Sequence, residues 1–116
     1  MIMKTKKELK DEYKQMKFPM GVFQIRNLTN DRVMIDNSVD MLSKWNRHKL
    51  ELNFGSHRNV ALQKDWSEKG ENNFVFEVLS ELKSKEGEVV NYNKELRELQ
   101  KMVIEELNIS DGLIYK

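Results

Sequence analysis

Gly21-Val22-Phe23-Gln24-Ile25-Arg26-Asn27, followed by Arg32-Val33-Met34-Ile35-Asp36, is the stretch on which the fold turns. The segment from Met20 to Arg26 is rich in Val22, Phe23 and Ile25, the composition of a strand. Asn27 to Asp31 has the polar composition of a turn, and Arg32 to Ile35 reads as a second short strand. Together they predict a hairpin.

Working outward toward the N-terminus, Thr5 and Glu8 stand at capping-box spacing, and Leu9, Tyr13 and Met16 share one side of a helix over Thr5 to Met16. Phe18-Pro19 ends it, since the residue before a proline is pushed out of the helical region. On the other side, Ser38 is the expected N-cap of a helix running to about Asn53, with Met41, Trp45, His48 and Leu52 on one face and Gly55 closing it. A further helix is expected over Asn59 to Glu68, with Leu62 and Trp66 one turn apart and Gly70 at its end. Phe74, Phe76 and Val78 alternate with Val75, Glu77 and Leu79, the pattern of a third strand. Lys83 to Glu88 reads as a charged loop, and Tyr92, Leu96, Leu99, Val103 and Leu107 recur at helical intervals through Asn91 to Leu107. The tail from Asn108 to Lys116 reads as loosely held. This order of elements suits a small sheet packed by helices.

A chain of 116 residues with 39% hydrophobic and 34% charged side chains, one proline and five glycines has the profile of one folded, highly charged domain. The absence of cysteine excludes disulfides, thiolate zinc sites and a cysteine nucleophile. Met1-Ile2-Met3 gives way at once to lysine and glutamate, so no signal-peptide core is expected and a cytoplasmic location follows. Charge is unevenly spread. Residues 1–19 carry six basic and three acidic side chains, residues 20–64 seven and four, and residues 65–116 seven and twelve. Either a basic face is presented to phosphates, or the whole is a solvated mosaic.

The order and spacing of these elements, with Trp45, Arg47, His48 and Lys49, then Gly55, Ser56 and His57, then Leu62, Gln63 and Trp66, then Gly70, Asn73, Phe74, Phe76, Glu77 and Leu79, resemble the GIY-YIG nuclease family. The likeness is to its small stand-alone bacterial members and covers roughly Gly21 to Leu107. It implies an α+β fold, a small three-stranded antiparallel sheet flanked by helices, here with an extra N-terminal helix. The division expected is residues 1–19 as N-terminal helix and linker, 20–107 as the GIY-YIG-like domain, and 108–116 as tail.

The resemblance also implies a site, and the site letters have changed. Where the family has two tyrosines that activate the attacking water, this chain has Phe23, which lacks the hydroxyl, and Met34, which offers no useful donor. Asp36 replaces the glycine of the second signature triplet, either as a turn aspartate that repels phosphate or as a substitute metal ligand. Lys44 falls on the family's arginine, keeping the charge without the bidentate fork, with Arg47 three residues on. Gln100 falls on the metal-binding glutamate, a neutral amide in place of a carboxylate; a shifted register would bring Glu95 or Glu98 there instead. His48 and His57 match family histidines and read as phosphate or structural contacts.

The expectation is therefore a degenerate nuclease that keeps nucleic-acid contact through Arg26, Lys44, Arg47, Lys49, His57, Arg58 and Lys64, with cleavage lost or strongly impaired. Trp45 and Trp66 lie among these cations, as core anchors or stacking platforms. No cofactor is expected, and Mg²⁺ or Mn²⁺ enters only with residual activity. Two alternatives remain open: a protein-interaction module that uses its N-terminal helix or its acidic last helix to bind a partner or itself, and a slow endonuclease with rewired metal ligands.

Overall fold

In the computed structural model the described residues are 19–83 and 91–115. The N-terminal helix predicted over Thr5 to Met16, and most of the Lys83 to Glu88 loop, lie outside them. Three strands, β1 (Gly21–Asn27), β2 (Val33–Ser38) and β3 (Phe74–Glu81), form one antiparallel sheet in the order β2-β1-β3. Three helices accompany it: α1 (Met41–Phe54), α2 (Val60–Lys69) and α3 (Tyr92–Leu107).

Period-two alternation along β1 decides what faces where. Phe23 lies opposite Asp36 and Val78, and Ile25 opposite Met34 and Phe76, so these side chains share a face. That face closes over Met41 and Leu52 of α1 and Leu62 and Trp66 of α2. Both tryptophans belong to this core. Trp45 stacks on Phe76 with ring centroids 5.8 Å apart, and Trp66 packs on Phe74 at 4.9 Å while its indole N–H donates to Asn53. On the opposite face Val22 is fully buried, and α3, with Leu96 and Val103 buried, packs against β1 and β2.

The hairpin forms as the sequence predicts, and Asn27 organises its turn. Its side-chain oxygen accepts from the backbone N–H and hydroxyl of Thr29, while Asp31 takes the left-handed conformation at φ 61°. β2 is longer than expected. Gly21 still pairs with Ser38, so Ser38 ends the strand, and the helix cap passes to Asp40, whose carboxylate accepts from the Ser43 N–H. α2 and α3 are capped in the same way by Asn59 and Asn91. In β3 the alternation breaks at Leu79, an extra residue between the pairs Phe23–Val78 and Val22–Ser80.

The tail departs most from expectation. After a 3-10 turn at Asp111–Leu113, Ile114 bridges Val33 in parallel, the Tyr115 N–H donates to the Val33 carbonyl at 2.8 Å, and Tyr115 is 4% exposed. An aromatic ring with a core slot to fill outweighs the polar composition around it. Among the described residues no helix is long and apolar enough to cross a membrane.

Candidate nucleic-acid interface

β2 is an edge strand, and three adjoining grooves run along its outer side. Met34, Asp36, His48, Arg58, Gln100 and Tyr115 line one groove of about 410 Å³. Lys44, Arg47, His48, Glu51, Ser56 and Arg58 line a second, and Lys44 together with Asp36 borders a third that reaches α3. His48, Arg58, Asp36 and Lys44 are the residues these depressions share, so the three grooves are one winding surface. Phe23 sits beneath it, fully buried, with its ring 6.1 Å from the His48 ring. Met34 and Gln100 thus line one groove, Lys44 the two beside it, and Phe23 lies in the core below them.

A directed chain of hydrogen bonds runs under the surface. The Asn59 backbone N–H donates to His57 Nδ1 at 3.0 Å, which leaves the His57 proton on Nε2. His57 Nε2 lies 2.8 Å from His48 Nδ1, so His57 donates and His48 carries its own proton on Nε2. That proton points at Asp36 Oδ2, 2.9 Å away. Every step follows from one backbone donor, because an N–H cannot accept. Both histidines are buried, and the chain ends on a carboxylate facing the groove.

The electrostatics agree. Burial alone would raise the Asp36 pKa, but the His48 hydrogen bond, the Asn37 backbone N–H and the charge of Lys44 together hold it below the usual carboxylate value. His57 is pushed below the ordinary histidine value by burial first and by the neighbouring His48 second. Asp36 is therefore a firmly ionised acceptor and a weak base. His48 has both ring nitrogens engaged.

Gln100 lies between Leu96 and Val103, the buried residues of α3, and is half-buried, whereas Glu98 is exposed. Its amide nitrogen donates to the Ile35 carbonyl at 3.1 Å, and its oxygen accepts from the Asn37 side chain. These residues do not fit a divalent metal ion. The one carboxylate on the groove is held by His48 and a backbone N–H, the amide opposite is tied to β2, and no group of three or more histidine, aspartate or glutamate side chains suited to a metal occurs among the described residues.

The predicted phosphate contacts separate. Lys44, Arg47 and Arg58 line the grooves, with Arg47 also 3.2 Å from Glu51. Arg26 lies on the opposite sheet face, bound to Glu77 at 2.6 Å and to Asp31, since its neighbours in the ladder put it out of phase with Phe23. His57 is buried in the relay and Lys49 rests over the Trp45 ring at 5.2 Å, so neither reaches outward as a free contact; Lys64 is exposed on α2. Sequence reasoning missed Tyr115 and the relay. The apolar run Leu113-Ile114-Tyr115 was the available signal for the first. For the second there was none, because no spacing rule joins residues 36, 48 and 57.

No protein-family model matches the chain. Over 62 residues, 53% of its length, the chain is 32% identical to intron-associated endonuclease 1 of enterobacteria phage T4, and it spans 25% of that relative. Its fold superposes on the catalytic domain of intron endonuclease I-TevI, in a mutant form, with a TM-score of 0.69 at 27% identity, covering 85% of this chain and 93% of that one. A second structure, titled as the catalytic domain of homing endonuclease I-TevI, gives 0.65 at 28% identity over 83% and 95%.

Proposed function

We propose that the chain is a GIY-YIG nuclease-like protein that binds nucleic acid through phosphate contacts while metal-dependent phosphodiester cleavage is lost or strongly impaired. Lys44, Arg47 and Arg58 are the contacts, three cations on one connected surface. The observation that carries the loss of cleavage is the pair Asp36 and Gln100 facing the same groove, the first fixed by His48 and the second fixed to β2.

Hydrolysis needs a proton acceptor beside the attacking water, and an effective one has a pKa near the working pH. Phe23 has no hydroxyl, His48 has no free nitrogen, and Asp36 titrates too low. Loss of a positioned acid or base costs about 10² to 10⁴ in rate. Lys44 attracts a phosphate as a point charge without the planar fork that orients it, which favours binding over turnover.

Supercoiled plasmid incubated with the purified protein and Mg²⁺ or Mn²⁺ tests this reading. No nicking above the protein-free control is expected. Nicking that vanishes in an Asp36→Ala variant overturns it in favour of an enzyme with rewired ligands. A second reading, an interaction module, draws on Leu42, Leu50 and Phe54, exposed at helical spacing along α1. Sedimentation of the full chain as a tight dimer supports that reading.

A further inference from the structure

One cation on the groove surface lies far from the basic segment between Lys44 and Lys64. Arg97 of α3 borders the third groove, about 580 Å³ in volume, together with Lys44, Asn37, Asn91, Asn93 and Asp36. The cavity is polar almost throughout, and its two cations come from different helices. Among the described residues neither Lys44 nor Arg97 makes an ion pair with a carboxylate within 4 Å. Asp36 is the single acid on the lining, and its two oxygens already accept from His48 and from the Asn37 backbone. A divalent cation is disfavoured by Lys44 and Arg97, and an apolar ligand by the amides.

Lys44 is common to this groove and to the one lined by Arg47, His48, Ser56 and Arg58. The cations therefore follow one another across the molecule from Arg58 and Arg47, over Lys44, to Arg97. A row of cations along a connected trough, of which Arg47 alone is paired among the described residues, to Glu51, is the shape that a polyanionic backbone takes up, one phosphate after another.

The geometry points to a phosphate subsite between Lys44 and Arg97, which continues the nucleic-acid track from α1 onto α3. It rests on the nucleic-acid reading above and adds a residue and a direction to it. Arg97 is the positioning contact of this subsite, holding the strand in register without reading its bases.

Salt-dependent binding to a fluorescein-labelled DNA duplex tests it, with the full chain and Arg97→Ala, Arg97→Gln, Lys44→Ala and Lys69→Ala variants, each checked by its thermal melt. Each phosphate contact contributes about 0.9 to the slope of log K against log salt concentration. Arg97→Ala, Arg97→Gln and Lys44→Ala are each expected to flatten the slope by about that amount. Lys69→Ala, an equal loss of charge at the far end of α2, is expected to leave it unchanged. Parent-like slopes in both folded Arg97 variants, with the parent binding well, overturn the subsite alone. No binding by the parent in dilute buffer overturns the nucleic-acid reading and the subsite with it.

Discussion

Asp36, His48 and His57 act as a unit because a single backbone N–H, that of Asn59, fixes the proton on each ring in turn. Both imidazoles are therefore expected as Nε2–H tautomers, which long-range ¹⁵N–¹H correlation spectra read directly; a His57 Nδ1–H signal would break the chain at its first link. The pH dependence follows with a definite sign. His57 titrates below its ordinary 6.5 in the folded chain, so the unfolded chain binds more protons in that window, and stability rises with pH through it. The contribution is complete above about 6.5 and is lost as pH falls; chemical-denaturation midpoints measured across this range are expected to drop in the parent and to drop less in His57→Gln. Asp36 behaves alike at lower pH, its contribution present above its ordinary 3.8 and lost as pH falls through its lower folded value. Its charge also opposes phosphate. Asp36→Asn is expected to tighten nucleic-acid binding by roughly fivefold, about 1 kcal/mol, at low salt, and anisotropy titrations showing equal or weaker binding would contradict the electrostatic account.

At the scale of elements, two features hold the site in place. Gly21 starts β1 where a Cβ would meet the Ser80 carbonyl oxygen at 2.0 Å, so the first signature glycine is retained for close strand approach. Gly21→Ala is expected to cost about 1–3 kcal/mol, seen as a lower denaturation midpoint. The tail is the second feature. The Tyr115 hydroxyl donates to Asp65 at 2.6 Å and accepts from Asn27 at 3.0 Å, and burial, followed by the bond to Asp65, pushes its pKa up to about 12. Through this one group the C-terminus ties the hairpin turn to α2. Tyr115→Phe leaves the Asn27 amide without its acceptor and is expected to cost about 1–3 kcal/mol in thermal or urea unfolding; an unchanged midpoint would show the hydroxyl to be idle.

For the whole molecule, Met34, Asp36, Lys44 and Gln100 line adjoining grooves and Phe23 lies in the core beneath, which makes a combined reversion informative. Phe23→Tyr, Met34→Tyr, Asp36→Gly, Lys44→Arg and Gln100→Glu together restore a hydroxyl, a guanidinium fork and a carboxylate and remove the opposing charge. Plasmid nicking in Mg²⁺ is expected to rise at least about 10²-fold above the parent. A folded but inert revertant would place the defect in the surrounding groove instead. The uneven charge along the chain finds its spatial counterpart in part only: Lys44, Arg47 and Arg58 do cluster, but Arg26 is spent on Glu77 and Arg97 joins from the acidic half.

The hairpin, the three described helices and the third strand were legible in the residues, because local periodicity, capping side chains and glycine stops act over a few positions and need no partner from afar. Local rules placed the end of β2 at Ile35 and the helix cap at Ser38, and pairing with Gly21 moved both, since a ladder partner outweighs a capping preference. The relay, the burial of Tyr115 and the arrival of Arg97 beside Lys44 were decided by the tertiary structure alone. Each joins groups 9 to 88 residues apart through distance and direction, which no spacing along a chain encodes.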